Sequence, residues 1–187
     1  MPIRLESSLP PDPFCGELVH VNVLIIYHSK TGRTKALAEE IAKGAGSVPG
    51  TEVLLRSVLE VTRQEFVAAD GVIAGSPVYF GTMSAELKEV LDRFVGTRKK
   101  MEGKIGAAFA TSAFHTGGKE TTIMSIIQAF LIYGMVVAGD PLDASGHYGV
   151  AYSGEMTDEV RDHAARFGAR IASMAAALAP LRSHNAS

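Results

Sequence analysis

Three short polar segments carry the residue types best suited to binding a small molecule, and each follows an apolar run. The first loop (residues 29–34) reads Ser-Lys-Thr-Gly-Arg-Thr, the second (residues 76–82) Ser-Pro-Val-Tyr-Phe-Gly-Thr and the third (residues 111–118) Thr-Ser-Ala-Phe-His-Thr-Gly-Gly. Glycines let a backbone approach a ligand closely, and hydroxyls donate hydrogen bonds. The residues of these three loops are therefore the candidate ligand-binding residues.

The first loop opens a predicted helix, whose free N–H groups and dipole favour an anion. Gly32 allows close approach, and the hydroxyls of Ser29, Thr31 and Thr34 suit phosphate oxygens. The segment matches neither GxxxxGK[ST] nor GxGxxG, so it lacks the fingerprint of a nucleoside triphosphate or dinucleotide site. The alternative is helix capping by Thr31 with a tight turn.

The second and third loops suit a planar heterocycle. Tyr79 and Phe80 predict a flat apolar wall beside free amides, although an aromatic pair that only plugs the sheet edge is the alternative. In the third loop, successive amides and hydroxyls suit the carbonyl and nitrogen edge of a ring. His115, with an ordinary pKa near about 6.5, could carry positive charge beside an anionic ring, or could be an exposed histidine without a role.

Alternating apolar runs and helical patterns must position these loops. We predict strands at residues 21–27, 52–56, 71–74, 105–111 and 135–138. Helices are predicted after the first loop, ending at Gly44 and Gly46, and at residues 63–68, 84–94, 120–133 and 157–178. Such alternation predicts a parallel sheet covered on both faces. Ligands bind at the carboxyl ends of such strands, so the three loops should meet there.

Composition limits the possible functions. The 187 residues are 47% hydrophobic and 20% charged, as in a single globular domain. The lone Cys15 forms no internal disulfide, and the six histidines show no paired metal-ligand spacing, so we expect no metal. A net charge of −2 gives no footprint for nucleic acid.

The N-terminal segment and the apolar runs bear on the cellular location of the protein. Residues 1–19 lack the pattern of a signal peptide and are interpreted as an extended arm. No apolar run reaches the roughly 20 residues that a bilayer span needs. We therefore expect a cytoplasmic protein without membrane insertion.

Four segments carry a family resemblance. They are residues 27–32 (YHSKTG), 75–84 (GSPVYFGTMS), 116–120 (TGGKE) and 133–137 (YGMVV). In this order they resemble the flavodoxin-like superfamily, and within it most closely the WrbA-type flavoproteins, which are type IV NAD(P)H:quinone oxidoreductases. The resemblance runs from about residue 21 to residue 175.

The resemblance implies a single FMN-binding domain over residues 20–179, with a tail at residues 180–187. The fold it implies is a doubly wound α/β fold in three layers, with a five-stranded parallel sheet in the order 2-1-3-4-5. FMN phosphate would lie on the first loop, the ring against residues 77–81 and its pyrimidine edge on the third loop. The implied cofactor residues are Ser29, Lys30, Thr31, Gly32, Arg33, Thr34, Pro77, Val78, Tyr79, Phe80, Gly81, Thr111, Ser112, Ala113, Phe114, His115, Thr116, Gly117 and Gly118.

Residues 147–149 resemble a family segment near the ring, which makes His147 and Tyr148 candidate substrate residues. The chain also departs from the family pattern. Only residues 57–69 join the second strand to the third, no tryptophan occurs near residues 97–101, and Tyr133 stands where the family often has histidine. The last two positions are expected to border the substrate. The basic run at residues 98–100 either meets a nicotinamide phosphate or faces solvent.

The predicted function is FMN-dependent transfer of two electrons from NAD(P)H to a quinone-like acceptor. Because a flavin carries its own redox chemistry, no catalytic side chain is required, although His115 is a candidate. One alternative is a flavodoxin-type electron carrier between proteins, and another is a non-enzymatic interaction module. The alanine-rich residues 175–179 suggest packing against a second subunit, so we expect a homo-oligomer.

Overall fold

The computed structural model of the protein describes residues 19–144 and 146–183. Except for Val19, the predicted arm therefore lies outside the described residues, as do residues 184–187 of the predicted tail. The six strands are β1 (Val21–Tyr27), β2 (Thr51–Ser57), β3 (Gly71–Pro77), β4 (Ile105–Ser112), β5 (Val136–Val137) and β6 (Ala151–Ser153). The α-helices are α1 (Arg33–Gly46), α2 (Arg63–Ala68), α3 (Ala85–Arg93), α4 (Arg98–Met101), α5 (Lys119–Ile132) and α6 (Asp158–Ser183), with short 3₁₀ turns at Val95–Thr97 and Leu142–Ala144.

The sheet has the predicted order, β2-β1-β3-β4-β5, and all of these pairs are parallel. The fifth strand is shorter than expected and pairs with β4 only at Ile105 and Gly106. A sixth strand, β6, which was not predicted, pairs in parallel with β4 at residues 110–112. The two short strands therefore share the outer side of β4.

Helices cover both faces of the sheet, because its inner strands are apolar on both sides. Val23 and Ile25 of β1 pack towards α1 and α6, whereas Leu24 and Ile26 pack towards α2, α3 and α5. The result is a three-layer doubly wound fold, as expected.

Close approach of α1 and α6 depends on glycine. A Cβ atom at Gly44 would lie 1.8 Å from the Ala165 carbonyl oxygen, and one at Gly168 would lie 2.0 Å from that of Ile41. Gly44 was expected to end the first helix, but the helix continues to Gly46. This glycine is instead a buried contact that lets two helix backbones touch.

Two positions that were expected to border the substrate, Tyr133 and residues 97–101, lie away from the three loops of their own chain. Helices α3 and α5 run back from the carboxyl ends of the strands, so their last turns lie at the amino edge of the sheet. There the buried Tyr133 hydroxyl donates to the Leu91 carbonyl oxygen at 2.5 Å. Arg98 Nε donates to the Ile132 carbonyl oxygen at 2.7 Å. The basic run therefore lies at the edge opposite the three loops.

The closing helix α6 continues to Ser183 with Pro180 inside it, beyond the predicted domain boundary at residue 179. Within the part of the chain that the structure describes, no helix combines the length and apolarity needed to cross a membrane.

Candidate functional site

The three loops meet at the carboxyl edge of the sheet, as predicted. The hydroxyls of Thr34 and Thr111 lie 2.9 Å apart, which joins the first and third loops. The Val78 amide donates to the Thr111 carbonyl oxygen at 2.8 Å, which joins the second loop to the third. A Cβ atom at Gly118 would lie 3.1 Å from Gly81 Cα, so these two loops are also in contact.

Between the loops lies a cavity of about 510 Å³, the central cavity. This volume falls within the usual range for small-molecule and cofactor sites. All of the residues that line it were predicted cofactor residues. They are Lys30, Thr31, Arg33, Thr34, Pro77, Val78, Tyr79, Thr111, Ser112 and Ala113.

The other predicted cofactor residues lie around the central cavity without lining it. Ser29 and Gly32 line a different cavity on the far side of the first loop. Phe80 and Gly81 form the tip of the second loop. Residues 114–118 continue the third loop up to the start of α5, and His115 among them is exposed.

The first loop leaves the start of α1 without a side-chain cap. Gly32 is the N-cap residue with φ 88°, and no side chain bonds to the first amides of the helix. Capping by Thr31, the alternative interpretation, is therefore not what the structure contains. Ser29 Oγ instead accepts from the Gly32 amide at 3.1 Å and holds the loop. Helix amides without a side-chain cap, beside the Thr34 hydroxyl, are of the kind that suits an anion.

The second loop ends in a tight turn that displays an aromatic ring. Tyr79 and Thr82 exchange two backbone hydrogen bonds, at 3.2 and 3.1 Å. Between them, Phe80 has φ 52° and Gly81 has φ 78°. Left-handed backbone at a bulky residue costs roughly 1–2 kcal/mol. The ring of Phe80 is nevertheless fully exposed, so it does not plug the sheet edge.

The third loop is held by two hydrogen bonds to one of its own carbonyl oxygens. Ser112 Oγ donates to the Phe114 carbonyl oxygen at 2.6 Å, and the Gly117 amide donates to the same oxygen at 3.2 Å. Gly118 begins α5 with φ 82° and again without a side-chain cap. The turn is thus fixed by one backbone amide and one small hydroxyl side chain.

Tyr152 stabilises the first loop through a hydrogen bond, and this role was not predicted from the sequence. Its hydroxyl donates to the Arg33 carbonyl oxygen at 3.3 Å. Burial raises the pKa of this hydroxyl, so it stays protonated and able to donate to a higher pH than an exposed tyrosine does. The residue belongs to β6, whose three residues carry no recognisable strand pattern.

His147 and Tyr148 line a separate cavity of about 210 Å³ rather than the central cavity. This β5-side cavity also includes Lys119, Asp140 and His163. The buried Asp140 carboxylate accepts from the His147 amide at 2.6 Å and lies 2.7 Å from His163 Nε2. The pair joins residues far apart in the chain, and no sequence signal pointed to it.

Metal ligands were not expected in this chain. Among residues 19–144 and 146–183, no three His, Cys, Asp or Glu side chains are placed to hold a metal ion together.

Comparisons with known proteins agree with this geometry. Residues 57–149 match the family model of NADPH-dependent FMN reductases. A flavodoxin of Aquifex aeolicus is 38% identical over 80% of this chain and 84% of its own length. An NAD(P)H dehydrogenase (quinone) of Archaeoglobus fulgidus is 31% identical over 82% of this chain and 96% of its own length.

Among solved structures, a WrbA-like flavodoxin of Agrobacterium tumefaciens matches with a TM-score of 0.73. It is 25% identical, and the match covers 84% of this chain and 99% of that one. The chain belongs to the WrbA-type family of flavodoxin-like proteins. This is a family of flavin-binding oxidoreductases.

In this WrbA-type chain, the three loops that carried the resemblance meet at one edge of the sheet.

Proposed function

We propose that this protein binds FMN in the central cavity and passes two electrons from NAD(P)H to a quinone-like acceptor. The observation that carries the proposal is one cavity that combines an uncapped helix start with an exposed aromatic wall. These features suit the phosphate and the ring of the same ligand.

The first loop fits the phosphate of FMN. Lys30, Thr31, Arg33 and Thr34 of this loop all line the central cavity. They bring two cations and two hydroxyls to the start of α1, which has no side-chain cap. Hydrogen bonds to charged groups contribute about 1.5–3 kcal/mol each, so the phosphate would supply much of the binding free energy.

The second and third loops fit a flat ring. Pro77, Val78 and Tyr79 give an apolar wall, and Thr111 to Ala113 give backbone polar groups on another side. Phe80 and Phe114 are exposed at the rim, where they would exclude water from a ligand.

Bound FMN would supply the two-electron redox chemistry. The chain's part is to orient the ring and to stabilise charge. Backbone donors of the third loop would stabilise negative charge at the ring edge, and the exposed His115 would add to this when protonated. Lys30 and Arg33 would hold the phosphate end, and Tyr79 with Phe80 would bound the face that meets the nicotinamide and the acceptor.

An electron carrier is the second candidate, since the relative with 38% identity is named a flavodoxin. Such a carrier exchanges single electrons with protein partners. The cations Lys30 and Arg33 beside the cavity and the near-neutral chain do not favour steering towards basic partners.

The deciding experiment loads the protein with FMN without oxygen and follows flavin absorbance. We expect NADH or NADPH to bleach the flavin rapidly and benzoquinone to restore its colour. A flavin that is bound but reduced by neither nucleotide would contradict the enzyme and favour the carrier. Free FMN at the same concentration is the control.

Two further expectations stay predictions. The homo-oligomer is tested by light scattering, in which a monomer mass would contradict it. The cytoplasmic location is tested by cell fractionation.

A further inference from the structure

A second cavity lies at the carboxyl ends of β1 and β2. Its volume is about 410 Å³. The first loop lies between this second cavity and the central cavity. Its residues Ser29 and Gly32 line the second cavity, whereas Lys30 and Thr31 line the central cavity. We call it the β2-side cavity.

One wall of the β2-side cavity is an apolar side chain displayed by a fixed turn. Leu59 is 91% exposed, immediately after β2. The turn is held because the amide and hydroxyl of Ser57 both donate to Glu60 Oε2, at 3.0 and 2.7 Å. Val58 and Tyr27 continue the apolar surface. Without a ligand, this apolar surface is in contact only with water. It is therefore suited to pack against the face of a planar ring.

The opposite wall is charged. Glu86, in the first turn of α3, has its Oε1 atom 3.8 Å from His28 Nε2, and both line the cavity. Lys35 is the cation of the cavity, and its Nζ lies 3.8 Å from Glu39 Oε1. Glu86 belongs to the helix after β3, yet it lines the same cavity as the end of β2, where its carboxylate oxygens can accept hydrogen bonds from ribose hydroxyls.

The two cavities are within reach of one dinucleotide. Tyr79 lines the central cavity, and its ring contacts that of His28 edge-on, with centroids 6.2 Å apart. β3, which carries the second loop, lies two strand spacings from β2, or roughly 10 Å. A nicotinamide at Tyr79 therefore leaves the other half of the molecule near Leu59.

We propose that the β2-side cavity binds the adenosine half of the reduced dinucleotide, and that Glu86 makes the protein prefer NADH to NADPH. This rests on the proposed function, because it assumes that a nicotinamide reaches the central cavity. Leu59 packs against the adenine, Lys35 meets the diphosphate and Glu86 accepts from the ribose hydroxyls. A 2′-phosphate at that position meets the Glu86 carboxylate and is repelled, because two negative charges lie close together.

The first test compares flavin reduction by the two nucleotides. We expect kcat/KM for NADH to exceed that for NADPH by about tenfold or more, since a charged contact is replaced by repulsion. Glu86→Lys should shift this ratio at least about tenfold towards NADPH. Glu102→Lys makes the same charge change at the amino edge and should leave the ratio unchanged. Preference for NADPH in the wild type, or an unchanged ratio in Glu86→Lys, would overturn the proposal.

The second test needs no electron transfer. ADP-ribose is titrated into the FMN-loaded protein and followed by amide chemical shifts. We expect the shifts to concentrate at residues 57–60 and at His28 and Lys35, and Leu59→Ser to weaken binding several-fold. Shifts confined to the central or the β5-side cavity would sink the assignment.

The two proposals fail in different ways. If neither nucleotide reduces the flavin, the proposed function falls, while the ADP-ribose titration still decides what the cavity binds. If NADH reduces the flavin but the Glu86 and Leu59 variants behave as wild type, the proposed function stands and the cavity assignment falls.

Discussion

The two edges of the sheet use their polar side chains differently. At the amino edge, the hydroxyl of Tyr133, the ammonium of Lys104 and the guanidinium of Arg98 all donate to backbone carbonyl oxygens. At the carboxyl edge, two helices begin without side-chain caps and an aromatic ring stands in solvent. The amino edge is satisfied internally, whereas the carboxyl edge keeps donors and apolar surface available for a ligand.

This contrast predicts that substitutions at the amino edge act on stability alone. Tyr133→Ala removes a ring that packs against Phe66 at 5.3 Å and the hydroxyl bonded to Leu91. We expect a loss of about 3–5 kcal/mol in the free energy of unfolding, measured in urea. FMN affinity of the folded fraction should not change. The exposed neighbour Ile132→Ala is the control, with an effect within about 0.5 kcal/mol.

At the carboxyl edge the expected pattern is reversed. Thr34→Val removes a buried hydroxyl beside the proposed phosphate position, so FMN should bind roughly 10- to 100-fold more weakly. Riboflavin, which lacks the phosphate, should bind with unchanged affinity, as measured by flavin fluorescence. Equal weakening of both ligands would mean that Thr34 does not meet the phosphate.

Alkaline pH tests the buried tyrosine of the amino edge in another way. Burial raises the pKa of Tyr133 to about 12. Because the unfolded chain releases this proton near pH 10, its stabilising effect is complete below that pH and is lost as pH rises towards 12. We expect the free energy of unfolding to fall more steeply in this range for the wild type than for Tyr133→Phe. Equal slopes in urea titrations would contradict the assignment.

The smallest expected effect concerns the strained turn. Phe80→Asn keeps φ 52° with a residue that tolerates it better, so stability should rise by up to about 1 kcal/mol. Quinone reduction should fall, because the ring at the rim is lost. Phe114→Asn, at an exposed phenylalanine outside the left-handed region, should give no gain in stability. A loss of stability in Phe80→Asn would contradict this, because it would show that the Phe80 ring makes stabilising contacts.

The sequence was sufficient for the order of the first five strands and for the three loops, because continuous apolar runs and the polar segments that follow them are local signals. It missed the three-residue β6, which carries no such run. It failed where a residue's role depends on distant partners. Tyr133 is buried because α2 and α3 pack over it, and Gly44 is a packing contact because the Ala165 backbone lies against it. The β2-side cavity escaped notice since Leu59 and Glu86 meet only after folding.

The two short strands β5 and β6 share the outer side of β4, and this arrangement allows β6 to open locally. Because β6 is only three residues long and carries Tyr152, local opening of this strand would release the hydroxyl that holds Arg33. Flavin on the first loop would then oppose the opening from a distance. The amides of β6 should therefore exchange with deuterium more slowly in the flavin-loaded protein, although none of them lines the central cavity.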